Sequence, residues 1–214
     1  MTLERLLIVG AGGHAKVSLE TAISMNLFDE FAFIDDRFNR GSEDLFVSKW
    51  PIIGNTKDIS NKEIKDKYKF AVVAIGNNKR RFELLNILKN NDFKVPSLIH
   101  PTAIISPSSN INEGCVIFAN SVIQAEVNIG FGAIINTSCS IDHECIIEEG
   151  AHICPGAHLA GRVSIGKLST VGIGASIIQD IKIGDQVFIG AGSAVINNIK
   201  DKMTVAGVPA RLIQ

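Results

Sequence analysis

The segment Ile135-Asn136-Thr137-Ser138-Cys139-Ser140-Ile141-Asp142-His143-Glu144-Cys145-Ile146-Ile147 carries an aliphatic residue at every sixth position. The same frame runs from Ile105 through Ile111, Ile117, Ile123, Ile129, Ile135, Ile141, Ile147, Ile153, Leu159, Ile165, Val171, Ile177, Ile183 and Ile189 to Val195, with no insertion. A fixed short period marks a repeat architecture, in which each unit buries its apolar face by stacking on its neighbours. A second inward position follows four residues later and holds small side chains: Ser109, Cys115, Ser121, Val127, Ala133, Cys139, Cys145, Ala151 and Ala157. Three hexapeptides close one triangular coil, so residues eighteen apart stack. Their spacing is that of neighbouring strands, about 4.8 Å. From Ile99 to Lys200 there is room for five to six coils. Glycines directly after the aliphatic position (Gly130, Gly166, Gly172, Gly184, Gly190) are expected to serve the tight corners. Outward residues such as Phe118, Val122, Ala160 and Leu168 are expected to leave flat apolar faces exposed in a monomer. Such faces imply self-association, and a trimer suits a triangular prism.

Ahead of the repeat the pattern changes. Leu6-Leu7-Ile8-Val9 is a continuous apolar run, as in a strand buried on both faces, and leads into Gly10-Ala11-Gly12-Gly13-His14-Ala15 and a helical stretch to about Met25. Phe31–Ile34 ends in Asp35-Asp36, and Phe70–Ile75 ends in Gly76-Asn77-Asn78 before a helix over about Lys79–Asn90. Strand, glycine turn and helix in alternation predict a small parallel α/β domain of mononucleotide-binding type. Gly10-x-Gly12-x-x-Ala15 with Asp35 fits the dinucleotide fingerprint loosely. Taken alone it leaves open NAD, another nucleotide or phosphosugar, and a turn that holds no ligand. The strand ends at Gly12–His14, Asp35-Asp36 and Gly76 are expected to converge on one crevice at the carboxyl edge of the sheet. Val95-Pro96-Ser97 marks the junction, giving a Rossmann-like domain over 1–97 and a coil with a C-terminal tail over 98–214.

Bulk properties exclude several classes. The 214 residues carry 21 basic and 22 acidic side chains, scattered and nearly balanced at a net charge of -1, which is no nucleic-acid footprint. No apolar run approaches the roughly 18 residues of a membrane span. Met1–Gly10 runs straight into a strand with no signal-peptide pattern, so a cytoplasmic protein is expected. Three of the four cysteines (Cys115, Cys139, Cys145) share the small inward position and read as core fillers; with Cys154 they form no CxxC pair.

The unbroken hexapeptides, closing with Val205-Ala206-Gly207-Val208-Pro209-Ala210-Arg211, resemble the left-handed β-helix acyltransferases. Gly10–His14, Ile34-Asp35-Asp36, Ala74-Ile75-Gly76-Asn77-Asn78, Asn136-Thr137-Ser138 and Asp142-His143-Glu144-Cys145 occur together in this order. They narrow the resemblance to acetyltransferases of nucleotide-linked amino sugars, especially those of the bacillosamine pathway. Relatives that acetylate sialic acid or GDP-perosamine share much of the layout. The resemblance covers essentially the whole chain. It implies an α/β Rossmann-like domain followed by a left-handed parallel β-helix, a homotrimer, and acetyl-CoA held between neighbouring coils. The implied acceptor is the 4-amine of a UDP-linked 4-amino-4,6-dideoxy-N-acetylhexosamine used in bacterial glycan biosynthesis. Acetylation of a sialic acid hydroxyl or of GDP-perosamine, and a non-catalytic sugar-nucleotide-binding trimer, are the alternatives.

Of the three coil histidines, His143 lies two residues past inward Ile141, at a corner and pointing outward. Its stacking neighbours, Ala125 and Gly161, leave space beside the imidazole. A carboxylate on one ring nitrogen fixes the tautomer and raises the basicity of the other, and Glu144 and Asp142 are rival partners for that bond. The resemblance makes His143 the general base and gives the Gly161 N–H to the tetrahedral oxyanion. It also sets His152, Ile173 and Ala191 against acetyl-CoA, and gives Gly12, Gly13, His14, Asp35, Asp36 and Gly76 to the nucleotide sugar. His158 receives no role. Zinc-dependent chemistry, known in some hexapeptide coils, needs three convergent histidines; His143, His152 and His158 fall on different corners and faces, so no metal is expected.

Overall fold

In the computed structural model, which describes residues 4–38 and 45–213, the chain divides into two compact units, Met1–Leu98 and Ile99–Gln214. Residues 1–3, which the sequence runs directly into the first strand, lie outside the described residues.

The first unit contains β1 (Glu4–Val9), α1 (Gly13–Ser24), β2 (Phe28–Ile34), β3 (Phe46–Val47), β4 (Trp50–Gly54), α2 (Lys62–Lys67), β5 (Phe70–Val73) and α3 (Asn78–Asn90). The sheet order is β3-β4-β2-β1-β5. All its pairings are parallel except the short β3–β4 ribbon. Leu6–Val9 and Phe31–Ile34 are buried along their whole length because helices cover the sheet. Helix α1 turns Ala15, Ser18, Leu19 and Ala22 inward and α3 turns Leu84, Leu85 and Leu88 inward, the i, i+3, i+4, i+7 stripe of a helix packed on a sheet. Strand β4 escapes the pattern reading because Pro51 removes a ladder donor from it. It holds its place through limited pairing to β2 (Phe33 with Ile52, Ile34 with Gly54) and through Trp50, whose ring meets Phe31 edge-on at 5.1 Å.

The second unit is a left-handed parallel β-helix. Two-residue strands stack in three sheets, one per face, and partners lie eighteen residues apart: Val122, Ser140, His158, Ser176 and Ala194 form one column. The inward Ile and small positions are buried from Cys115 to Val205 as one continuous core. Each inward Ile or Leu contributes roughly 1.5–3 kcal/mol by leaving water. Burial pushes the Cys139 thiol up to about 12 and that of Cys145 to about 11, so both stay protonated and serve as packing. After Thr204–Ala206 the chain turns back, and Arg211–Leu212 pairs antiparallel with that strand to close the last coil.

Two expectations are corrected here. The corner residue with positive φ stands three places after the aliphatic one, not one. Glycine fills it at Gly114, Gly132 and Gly150, but Glu144 (φ 58), Arg162 (φ 59) and Asp180 (φ 63) fill it elsewhere. The glycines right after the aliphatic position answer to space instead: a Cβ on Gly130 would lie 2.7 Å from the Glu149 nitrogen of the next coil. Phe118, expected on an exposed face, is buried at 1% exposure. No described helix is long and apolar enough to cross a membrane.

Candidate active site

The His143 corner follows from the repeat. Ile141 and Cys145 point into the core, so the three residues between them must pass around the outside of the prism. Asp142 Oδ1 accepts the His143 backbone N–H at 2.8 Å and stiffens the turn. Glu144 takes the left-handed conformation, and its Oε2 lies 2.8 Å from His143 Nδ1. The rivalry between the two acids is thereby resolved: Glu144 orients the ring and Asp142 fixes the backbone. A carboxylate can only accept, so Nδ1 carries the proton and Nε2 presents its lone pair.

Gly161, one coil on, lies directly beneath the ring. A Cβ there would stand 2.5 Å from Cε1 and 2.6 Å from Nε2 of His143. Only glycine leaves room for the imidazole in this position. Ala160 occupies the place that Asp142 holds one coil earlier and has no acceptor, so the Gly161 N–H donates to no group among the described residues. The Nε2 lone pair and the Gly161 backbone are therefore within a few ångströms of each other, an arrangement suited to proton abstraction beside an N–H donor. A groove of about 400 Å³ lies on the face ending at this corner, lined among others by Val122, Gln124, Ser140, Asp142, His158 and Ser176. His158 Nδ1 lies 2.8 Å from Ser140 Oγ on that face.

His152, Ile173 and Ala191 lie elsewhere. His152 stands outward on its strand beside Thr170, with Nε2 3.0 Å from Asn136 Nδ2. Ile173, 60% exposed, and Ala191 stack at the corner that follows this face. One full side of the prism, six residues or about 20 Å, separates that corner from His143. Within the chain the structure brings His143, Glu144 and Gly161 together, and it does not bring Ile173 or Ala191 to them.

In the first unit the register Val9 with Ile34 and Val73 brings the carboxyl ends of β1, β2 and β5 level, so Gly12–His14, Asp35-Asp36 and Gly76 share one edge. Among the described residues, and apart from their chain neighbours and the first turn of α1, no heavy atom lies within 4 Å of where a Cβ would stand on Gly12, Gly13 or Gly76, which leaves their backbone open to approach. Gly12 is the N-cap of α1 and offers no side chain to the first turn. Asp35 bonds within the chain, accepting from Ala11 N at 2.8 Å and from the Arg37 side chain at 2.8 Å, and so laces the β1–α1 turn to the end of β2. Burial pushes its carboxyl up, but these hydrogen bonds outweigh it and hold it below the usual range. Asp36 accepts from the Thr56 hydroxyl at 2.6 Å, which lowers its carboxyl, and is otherwise well exposed. Burial, reinforced by the nearby Arg81 charge, pushes the half-buried His14 imidazole down to about 4.

Arg81 is a residue the sequence reading missed. It is 1% exposed, and its guanidinium donates to the carbonyls of Ile75 and Gly76 at 3.2 and 3.3 Å and to Asn78 Oδ1 at 3.0 Å. It braces the loop that carries Gly76 from below. An arginine inside the apolar stripe with Leu84, Leu85 and Leu88 was the available signal. Among the described residues, no group of three or more His, Cys, Asp or Glu side chains is arranged to hold a metal.

A parallel hexapeptide coil with an outward His–Glu pair over a glycine, joined to a mononucleotide-type domain, defines the class of hexapeptide-repeat acyltransferases. Residues 5–88 match the family described as the PglD N-terminal domain. A UDP-N-acetylbacillosamine N-acetyltransferase from Bacillus subtilis (strain 168) is 38% identical over 119 residues, 55% of this chain and 52% of that protein. The match thus spans about half the length of that curated relative. Among solved structures, the acetyltransferase domain of PglB from Neisseria gonorrhoeae FA1090, in complex with acetyl coenzyme A, is 38% identical with a TM-score of 0.92, covering 99% of this chain and 100% of that one. PerB from Caulobacter crescentus, in complex with CoA and GDP-perosamine, is 31% identical with a TM-score of 0.91, covering 100% and 99%. The chain belongs to the nucleotide-sugar acetyltransferases of the left-handed β-helix family.

Proposed function

We propose that this chain transfers the acetyl group of acetyl-CoA to the 4-amine of a UDP-linked 4-amino-4,6-dideoxy-N-acetylhexosamine, as a cytoplasmic homotrimer, with His143 as general base. The observation that carries the reading is the His143–Glu144 pair, with Nδ1 held by a carboxylate at 2.8 Å and the ring seated over Gly161. Acetyl-CoA supplies an acyl carbon activated as a thioester. Nε2 of His143 takes a proton from the amine as nitrogen bonds to that carbon, and returns it to the CoA sulfur as the C–S bond breaks. The Gly161 N–H donates to the oxyanion formed between these steps. A positioned base of this kind contributes about 10²–10⁴-fold.

The first domain, 1–97, takes the nucleotide sugar at Gly12, Gly13, His14, Asp36 and Gly76, with Asp35 shaping the turn. The match to the PglD N-terminal domain and the UDP-sugar relative support UDP as the nucleotide. The coil domain, 98–214, takes acetyl-CoA at His152, Ile173 and Ala191. Because these lie a full side away from His143 within a protomer, a complete site calls for a neighbour's corner, and a three-fold arrangement of prisms supplies one.

The test is acetyl-CoA consumption with UDP-, GDP- and CMP-linked acceptors, with His143→Ala as control. Turnover of the UDP-linked amine, falling at least a hundredfold in His143→Ala, is expected. Turnover of GDP-perosamine or a sialic acid alone overturns the substrate, and full activity in His143→Ala overturns the mechanism.

A further inference from the structure

Below Glu144 the corner continues as a column of charge. Glu144, Arg162 and Asp180 occupy the same left-handed position on three successive coils, with φ of 58, 59 and 63, so their side chains leave the prism in parallel. Arg162 Nε and Nη2 meet Asp180 Oδ1 and Oδ2 at 2.7 and 3.0 Å, the two-point geometry that makes an exposed pair hold. Arg162 Nη1 lies 3.9 Å from Glu144 Oε2, the same oxygen that sits 2.8 Å from His143 Nδ1. The guanidinium is thus within about 7 Å of the imidazole, through a shared oxygen.

We propose that Arg162 and Asp180 are positioning residues for the transfer: a ladder that fixes the Glu144 carboxylate on His143 Nδ1 and balances the charge beside the base. The inference rests on His143 acting as the base and adds what governs how readily it takes a proton. Arg162 stands as a cation next to the carboxylate that would otherwise favour imidazolium. Asp180 in turn offsets Arg162. The hydrogen bond from Arg162 holds the Asp180 carboxyl below its ordinary range, and His143 itself contributes to that lowering. Among the described residues, charged or titratable groups at neighbouring positions of the coil include Glu126 one coil above Glu144, Asp142 on the same coil, and His158 on the face that leads to this corner. Asp142 is engaged with the His143 N–H, and His158 with Ser140.

The ladder makes a prediction of sign that a purely structural role does not. Removing the cation by Arg162→Gln favours imidazolium, so His143 holds its proton to higher pH. Removing the outer anion by Asp180→Asn leaves Arg162 less compensated, so His143 loses its proton at lower pH. His143 ring resonances are to be titrated by NMR in the full-length protein, alongside the acidic limb of the kcat/KM profile. Expected are an upward shift for Arg162→Gln, a downward one for Asp180→Asn, and a double variant that falls between the two. Arg162→Lys, which keeps the charge, should leave the titration near wild type. Shifts of the same sign, or none beyond 0.2 unit in a variant that melts like wild type, overturn the ladder. The titration needs no turnover, so an enzyme inactive on every acceptor would refute the proposed function and still leave the ladder judged.

Discussion

Replacing Gly161 by alanine puts one methyl group where the structure has least room. Gly161 does not adopt a left-handed φ, so the backbone accepts alanine without strain. The new Cβ would stand 2.5 and 2.6 Å from two atoms of the His143 ring. Ordinary carbon contacts lie at about 3.5–4.0 Å, so the ring must retreat by about 1 Å or swing away from Glu144. A displacement of that size at a reacting atom costs on the order of 10²-fold. Breaking the Nδ1 bond removes the fixed tautomer as well, which brings the expected loss in kcat to roughly 10²–10³-fold. KM for acetyl-CoA should change little if the coenzyme is held at Ile173 and Ala191. The melting temperature should stay within a few degrees, because the ring can move into solvent. Steady-state kinetics on the UDP-linked amine, with a thermal melt of the same preparation, provide the measurement. A Gly161→Ala enzyme with kcat within threefold of wild type would refute the placement of His143 as base.

Two further outcomes concern the first domain. His14 has a folded-state value near 4 against 6.5 for the free side chain, so between those values the unfolded chain binds the extra proton. The domain should lose up to about 3 kcal/mol of stability as pH falls through that window and none above it. Denaturant unfolding at pH 7 and pH 4.5 should show this loss, and a His14→Asn variant should show a flatter response. Gly10 has φ +106, and a Cβ on it would lie 2.8 Å from the Ala74 carbonyl oxygen. Gly10→Ala should therefore cost at least about 1–2 kcal/mol and weaken nucleotide-sugar binding, as read by calorimetry. Unchanged stability would mean that the β1–α1 turn relaxes freely.

The coil was legible in the sequence because inward and outward positions are set by counting, and no tertiary context can shift a hexad without unpairing every neighbour. The placement of His143, Glu144 and Gly161 at one corner followed from that count alone. What the count could not decide was where side chains turn within a corner. The choice between Glu144 and Asp142 depends on the left-handed φ of Glu144, a conformation the spacing does not reveal. The glycine assignment failed for the same reason, because counting cannot separate a residue that must turn the chain from one that must admit a neighbour. In the α/β domain the convergence of strand ends was readable, since parallel strands with helical crossovers bring their carboxyl ends together. Arg81 was not, because its burial depends on how the turn just before α3 folds back to offer it the carbonyls of Ile75 and Gly76, which the helical spacing does not reveal. Strand β4 was hidden by Pro51, a residue with no donor that nevertheless stands opposite Phe46 in the short β3–β4 ribbon.

The stacking of coils also makes the protein a ruler. From His143 to Ala191 the chain advances 48 residues, two and two-thirds turns. At about 4.8 Å per turn this is an axial offset of roughly 13 Å. Every face-on pairing between these points locks that length, so it cannot drift by a fraction of a turn. Inserting or removing one whole coil would preserve every inward contact and change the offset by a single rung. The distance between His143 and the distal corner is thus quantised. A longer or shorter acyl carrier could be matched by the number of coils, with the chemistry of the corner left untouched.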